Sequence, residues 1–187
     1  MRLLVTGGAG YIGSHTVREL LDHGHQVWVI DDLSNGHQEA VDSRAAFTRG
    51  NTADSELLQN LMKQNKIEAV VHFAAFIEVG ESVADPFKYY QNNFVNSLAL
   101  LAAMKSAHVQ KIVFSSTAAV YGNPTSVPIR EDQTPNPINP YGRSKWMTEM
   151  ALEDAAKAYG LGYTILRYFN VAGAHPQAEI GEDHHPE

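Results

Sequence analysis

The chain has 187 residues, 44% of them hydrophobic, a formal charge of -7 at pH 7 and no cysteine. That length supports one sizeable core with little left for a second full domain, and an acidic balance without a Lys/Arg-rich run argues against a nucleic-acid partner. The absence of cysteine excludes disulfides and thiolate chemistry, no apolar run is long enough to span a bilayer, and Met1–Thr6 reaches glycine too soon for a signal peptide; a soluble cytoplasmic protein with no membrane partner is expected.

Strands and helices alternate along the chain. Leu3-Leu4-Val5 reads as a short buried strand, followed by helical spacing through Ile12, Val17, Leu20 and Leu21 that runs out near Gly24. Val27 to Ile30 forms the next strand, and a shorter one lies near Phe47. Asp54 is placed to cap a helix whose apolar face is Leu57, Leu58, Leu61 and Met62. Ala69 to His72 is a further strand. Pro86 suits the first turn of a long helix carrying Phe87, Tyr90, Phe94, Leu98 and Leu101; Glu81 reads as a cap on its approach, and Tyr89-Tyr90 as packing aromatics. Ile112 to Phe114 is another strand, Tyr141 to Tyr159 another helix, and Tyr163 to Leu166 a last strand, while the stretch from Pro124 to Pro140 reads as an active-site loop. Nearly continuous apolar strands separated by helices predict an α/β fold built on a doubly wound parallel sheet, with 1-187 as one domain.

Gly8-Ala9-Gly10-Tyr11-Ile12-Gly13 satisfies the spacing G-x-G-x-x-G, and Gly7, Gly10 and Gly13 satisfy a related one. Because the segment follows a strand and opens a helix, it reads as the phosphate turn of a Rossmann-type dinucleotide site. Missing Cβ atoms let the backbone turn sharply and let a pyrophosphate reach the free N–H groups and positive dipole at the helix start. A tight strand–helix turn with no ligand is the alternative. Asp31 ends the second strand about 20 residues on, where a carboxylate can accept hydrogen bonds from the adenine-side ribose and repels a 2′-phosphate. No arginine lies between Asp31 and Val41 to offset it, so NAD is expected over NADP. Alternatively Asp31 or Asp32 merely caps the following turn.

Tyr141 and Lys145 are four residues apart and share a face if the segment is helical. An ammonium near a phenol stabilises the phenolate and lowers its pKa from about 10 towards working pH, and a positive nicotinamide ring would push the same way. The tyrosine then becomes a general base for a sugar hydroxyl. An exposed helix pair without chemistry is the alternative. Ser115-Ser116-Thr117 directly follows a strand, where a ligand crevice is bordered, and this favours the catalytic reading. The histidines show no metal-site spacing, His184-His185 reads as a solvated tail, and no metal is expected. Trp28 and Trp146 receive no role.

Taken together, the motifs resemble the extended short-chain dehydrogenase/reductases and, within them, the UDP-sugar 4-epimerases. The match begins at Thr6 to His15 and Asp31-Asp32-Leu33-Ser34-Asn35-Gly36, then continues through His72-Phe73-Ala74-Ala75, Val79 to Ser82 and Tyr89 to Asn93. Phe114 to Gly122, Pro140 to Lys145 and Arg167 to Ala174 complete it, in order over essentially the whole chain. The resemblance implies interconversion of UDP-glucose and UDP-galactose through a 4-keto sugar with tightly held NAD. It implies Tyr141 as base, Lys145 as its electrostatic partner and nicotinamide-ribose ligand, and Thr117 as partner of the sugar 4′-hydroxyl, so that catalysis rests on Tyr141, Lys145 and Thr117. Asn170 joins Thr117 and Tyr141 as a substrate contact. Gly7, Gly10, Tyr11, Ile12, Gly13, Asp31, Asp32, Leu33, Ser34, Asn35 and Gly36 would hold NAD together with Asn51, Thr52, Phe73, Ala74, Ala75, Asn92, Phe169, Tyr141 and Lys145. A homodimer through a four-helix contact, formed by the helices after Pro86 and from Tyr141, is also implied.

The sequence departs from the pattern in places. Related 4,6-dehydratases carry an acidic pair where this chain has Ala118 and Ala119, which counts against elimination of water. Asn51 stands where the family often has aspartate facing the adenine amino group, and its oxygen can still accept that bond. Ile77 replaces a lysine of some members. The smaller C-terminal substrate lobe of the family is expected to be missing, leaving apolar surface exposed. Two readings follow: the N-terminal part of a 4-epimerase for UDP-glucose or another UDP-sugar, or a dinucleotide-binding fragment without turnover.

Overall fold

β1 (Arg2–Thr6), β2 (Gln26–Asp31), β3 (Ala46–Arg49), β4 (Ala69–His72), β5 (Lys111–Ser115) and β6 (Gly162–Leu166) pair in parallel as one sheet, in the order β3-β2-β1-β4-β5-β6. This computed structural model describes residues 1–177 and 179–183; His184 and His185 lie outside them. The crossovers run through α1 (Tyr11–Asp22), α2 (Ser55–Gln64), α3 (Val79–Ala84), α4 (Pro86–Tyr89), α5 (Asn96–Ser106) and α6 (Pro140–Tyr159).

Successive side chains of a strand point to opposite faces, so a strand covered on both sides must be apolar throughout. β1 obeys this: Leu4 joins Ile30, Val70, Ile112 and Phe114 in a core closed by α2, α5 and α6, while Val5 joins Val27, Val29 and Val71 against Val17 of α1. The chain leaves β1 to one side and, after β3, returns to the other at β4. That reversal opens a crevice at the carboxyl ends of β1 and β4, the place where doubly wound sheets bind ligands.

The elements read from the sequence are present within a residue or two, and Asp54 caps α2 by accepting the Leu57 N–H at 2.9 Å. The region around Pro86 differs. Val79–Ala84 forms a helix of its own, and the long helix is divided by a π-helical turn over Tyr90–Val95. The widened turn diverts the Asn93 carbonyl to side chains: Ser97 Oγ donates to it at 2.6 Å and Thr148 Oγ1 lies 3.3 Å away. Glu81 does not cap the helix at Pro86, because Asp85 does so through the Lys88 N–H. Instead Glu81 accepts the hydroxyl of the fully buried Tyr89 at 2.8 Å and pairs with Lys88. Trp28 packs against the larger core. Phe87 (80% exposed) and Val83 (64%) stand out from α4 and α3, with Leu98 and Met150 also exposed on α5 and α6. Among the described residues no helix is long and apolar enough to cross a membrane.

Candidate active site

A cleft of about 1270 Å³ lies over the crevice between β1 and β4 and extends along the end of β5. The glycine turn forms its floor. A Cβ on Gly13 would come within 2.0 Å of the Gly7 carbonyl oxygen, so this glycine is required for helix and turn to close on one another. Gly10 is different: its φ of -80° and ψ of 175° suit any residue, and an added Cβ would meet only the Gly7 oxygen, at 3.5 Å. The protein's own packing does not require glycine there, and the space above Gly10 opens into the cleft. α1 starts at this point with no side-chain cap and no acidic residue in its first turn, leaving an electropositive helix end facing the cleft.

Asp31 closes the same end. Its Oδ2 accepts the Ala9 N–H at 3.0 Å and its Oδ1 the Leu33 N–H at 2.9 Å, tying the glycine turn to the end of β2. Burial raises its pKa above the ordinary carboxylate value, against these two backbone hydrogen bonds, which lower it. One lone pair on each oxygen remains for a hydroxyl donor. Both readings of Asp31 hold at once, since it organises the turn and borders the cleft. Asp32, Ser34, Asn35, Gly36 and Thr52 also line the cleft, but Leu33 does not; its contribution is the backbone N–H given to Asp31. Asn51 lines the cleft with its amide engaged. Nδ2 donates to Asp32 at 2.7 Å, and Oδ1 accepts the Ala53 N–H and the Asn96 amide. Both lone pairs of that oxygen are occupied, so the expected acceptor for an adenine amino group is not free.

The middle of the cleft is held by a directional chain of hydrogen bonds. Ser97 spends its proton on the Asn93 carbonyl, so His72 Nε2 must donate to Ser97 Oγ (2.9 Å), and His72 Nδ1 accepts from Thr6 Oγ1 (2.6 Å). Thr6 Oγ1 in turn lies 3.4 Å from the Ala74 N–H. His72 is therefore held as one neutral tautomer. Burial, reinforced by the Lys145 charge, lowers its pKa to about 3. The Asn93 side chain pairs with both backbone groups of Phe76, at 2.8 and 2.9 Å. Together these bonds fix the segment carrying Phe73, Ala74 and Ala75, which lines the cleft beside Asn92.

Tyr141, Lys145 and Thr117 meet at the far end, on α6 and just after β5. Asn139 caps α6 by accepting the Gly142 N–H at 2.8 Å, and Pro140 occupies the first turn, which fixes where Tyr141 enters the cleft. Lys145 is 2% exposed, and its Nζ donates to the Ser115 carbonyl at 2.9 Å. Burial lowers the Lys145 pKa to about 7 while Glu149 raises it. The phenol does not follow the sequence expectation. Burial raises the Tyr141 pKa, the Thr117 hydroxyl lowers it, and Tyr168 raises it again; one of the three Lys145 N–H donors goes to the Ser115 carbonyl, and the lysine charge does not offset burial. Phe169 and Asn170 border the cleft but are exposed, and Val127, Pro128 and Ile129 of the proline-rich loop border it as well.

Several residues of this end were not anticipated. Glu149 is 1% exposed and accepts hydrogen bonds from Ser116 Oγ and Arg167, whose Nη2 approaches to 2.6 Å. Arg167 also donates to Tyr121 Oη at 3.0 Å, and Tyr168 Oη is hydrogen-bonded to Ser115 Oγ. The available signal was the spacing of Glu149 one turn after Lys145 and two after Tyr141 on α6.

The family model described as NAD dependent epimerase/dehydratase family matches residues 3–186. The UDP-glucose 4-epimerase of Lactobacillus helveticus is 54% identical over 187 residues, covering 100% of this chain and 57% of that protein. A crystal structure of UDP-glucose 4-epimerase from Brucella ovis in complex with NAD superposes with a TM-score of 0.97 at 48% identity, covering 100% of this chain and 57% of the other. The Thermotoga maritima UDP-glucose 4-epimerase with UDP-glucose gives a TM-score of 0.90 at 42% identity, covering 97% and 60%. The chain thus spans little more than half the length of the relatives it matches.

Proposed function

This chain belongs to the NAD dependent epimerase/dehydratase family, and from that membership we propose that it forms the NAD-binding, proton-transferring part of a UDP-glucose 4-epimerase, residues 1–187 acting as one domain. The observation that carries the reading is the convergence of Tyr141, buried Lys145 and Thr117 on the cleft whose other end is the open Gly10 turn. The residues fit NAD: α1 offers its uncapped first turn to a pyrophosphate, Asp31 two oxygens to the ribose, and Lys145 a charge beside the nicotinamide end. When bound, NAD supplies the acceptor and donor of hydride at the sugar carbon.

Tyr141 Oη takes the proton of the 4′-hydroxyl and returns it from the same position. Thr117 holds that hydroxyl against the phenol, and Lys145 in its protonated form stabilises the phenolate that burial disfavours. Asn170 contacts the sugar or its phosphates. Ala118 and Ala119 border the cleft with no proton to give, which supports epimerisation over dehydration. The sugar is UDP-glucose or UDP-galactose on the strength of the relatives. A cysteine-free chain suits the cytoplasm, and the exposed Phe87, Leu98 and Met150 support a homodimer through a four-helix contact of the helices after Pro86 and α6.

Calorimetric titration followed by UDP-galactose turnover in the same sample tests this. NAD is expected to bind more than about tenfold more tightly than NADP, because a 2′-phosphate would meet Asp31. Gly10→Val is expected to weaken NAD binding by at least about tenfold, a loss of about 1.4 kcal/mol, while thermal unfolding stays near that of the parent, since the backbone there accepts a side chain. Equal affinity for the two cofactors, or unaltered binding by Gly10→Val, would remove the reading. Binding without turnover would leave a dinucleotide-binding fragment.

A further inference from the structure

Behind Tyr141 and Lys145 lies an ionic cluster that has no place in the proton transfer just described. Glu149 is 1% exposed, and it accepts four hydrogen bonds: from Ser116 Oγ, from Arg167 Nε to both oxygens at 3.1 and 3.2 Å, and from Arg167 Nη2 at 2.6 Å. Ser116 immediately precedes Thr117, and Arg167 precedes Tyr168 and Phe169, which line the cleft. Arg167 also reaches Tyr121 at 3.0 Å, at the end of the short helical turn that Thr117 caps. One carboxylate on α6 therefore ties down the segments leaving β5 and β6. It also stands one helical turn from Lys145, on the same face.

We propose that Glu149 is a positioning residue for the Tyr141–Lys145 pair: its buried carboxylate keeps Lys145 an ammonium and fixes the Ser116–Thr117 segment against the phenol. A buried ammonium has few ways to remain charged. The groups facing Lys145 are the Ser115 carbonyl and the Phe114 ring from β5, neutral His72 from β4, the Tyr141 phenol on its own helix and, beyond Ser115, the neutral Tyr168 phenol. Glu149 is the negative charge among them, and its attraction opposes the effect of burial on the lysine. Arg167 orients that carboxylate through its Nε and Nη2 donors. The inference rests on the catalytic reading of Tyr141 and Lys145.

The test is a pH titration of the Lys145 Nζ resonance by NMR in protein labelled with 15N-lysine, assigned with Lys145→Met, without cofactor and again with NAD. In Glu149→Gln the midpoint is expected to fall by about one pH unit, because an opposite charge at this range favours the charged form by at least that much. Glu149→Asp restores most of the shift. The double variant Glu149→Met/Arg167→Met removes both charges together, which keeps the fold because neither is left buried alone. Its Lys145 midpoint is expected to fall by less than in Glu149→Gln, because the Arg167 charge that repels the ammonium is removed as well. A purely structural Glu149 would leave the midpoint at the parental value both in folded Glu149→Gln and in the double variant, and that result overturns the proposal. Because the titration needs no cofactor, failure to bind NAD would count against the proposed function and not against this role.

Discussion

Replacing Tyr141 by phenylalanine is expected to lower UDP-galactose turnover by about 10²- to 10⁴-fold, the range for loss of a positioned general base. The fold should change little. Tyr141 is only partly buried and its neighbours remain held without it: Thr117 Oγ1 still accepts the Ala119 N–H at 3.1 Å, and Lys145 still donates to Ser115. Burial raises the phenol pKa, so the phenolate is scarce at neutral pH unless positive charge is present beside it. Parental turnover should therefore rise with pH until Lys145 loses its proton, and that rising limb should disappear in Tyr141→Phe. Rates measured across a pH series for both proteins decide the matter. A phenylalanine variant that keeps more than about a tenth of the parental rate would assign the proton transfer to another group.

The second large effect is on stability. Arg167→Ala is expected to destabilise the protein by about 3–5 kcal/mol, because it leaves the Glu149 carboxylate buried without its forked partner. Glu149 is 1% exposed and the Arg167 side chain 21%, so water cannot replace the lost bonds without opening the junction of α6 with β5 and β6. Arg167→Lys should recover only part of the loss, since a lysine cannot present two parallel N–H groups or remain stacked on the Tyr121 ring. Urea unfolding at neutral pH measures both variants. A loss below about 1 kcal/mol for the alanine variant, typical of an exposed pair, would mean that the carboxylate is already served by other groups.

Much of the cofactor end was legible before folding. Its chemistry depends on spacing over a few residues, and spacing fixes local geometry once a strand or helix is assigned. The glycines, Asp31 and the Asp54 cap belong to this kind. At Leu33 and Asn51, which border the same turn in sequence, only the fold shows that the backbone N–H of one and the side-chain carbonyl oxygen of the other are engaged with protein partners. The π turn at Tyr90–Val95 was illegible for a related reason, since it is satisfied by Ser97 and by Thr148, which lies on another helix.

The sequence by itself determined the order of strands and helices, the glycine turn against its acidic neighbour, and the four-residue spacing that sets Tyr141 and Lys145 on one face. Only the tertiary structure decided that burial raises the phenol pKa, that Lys145 donates to the Ser115 carbonyl, and that Glu149 and Arg167 form a buried pair behind them. Helical and strand periodicity are properties of neighbouring residues in the chain. Desolvation and charge pairing depend on what distant segments bring into contact, and here those segments are α6 and the ends of β5 and β6.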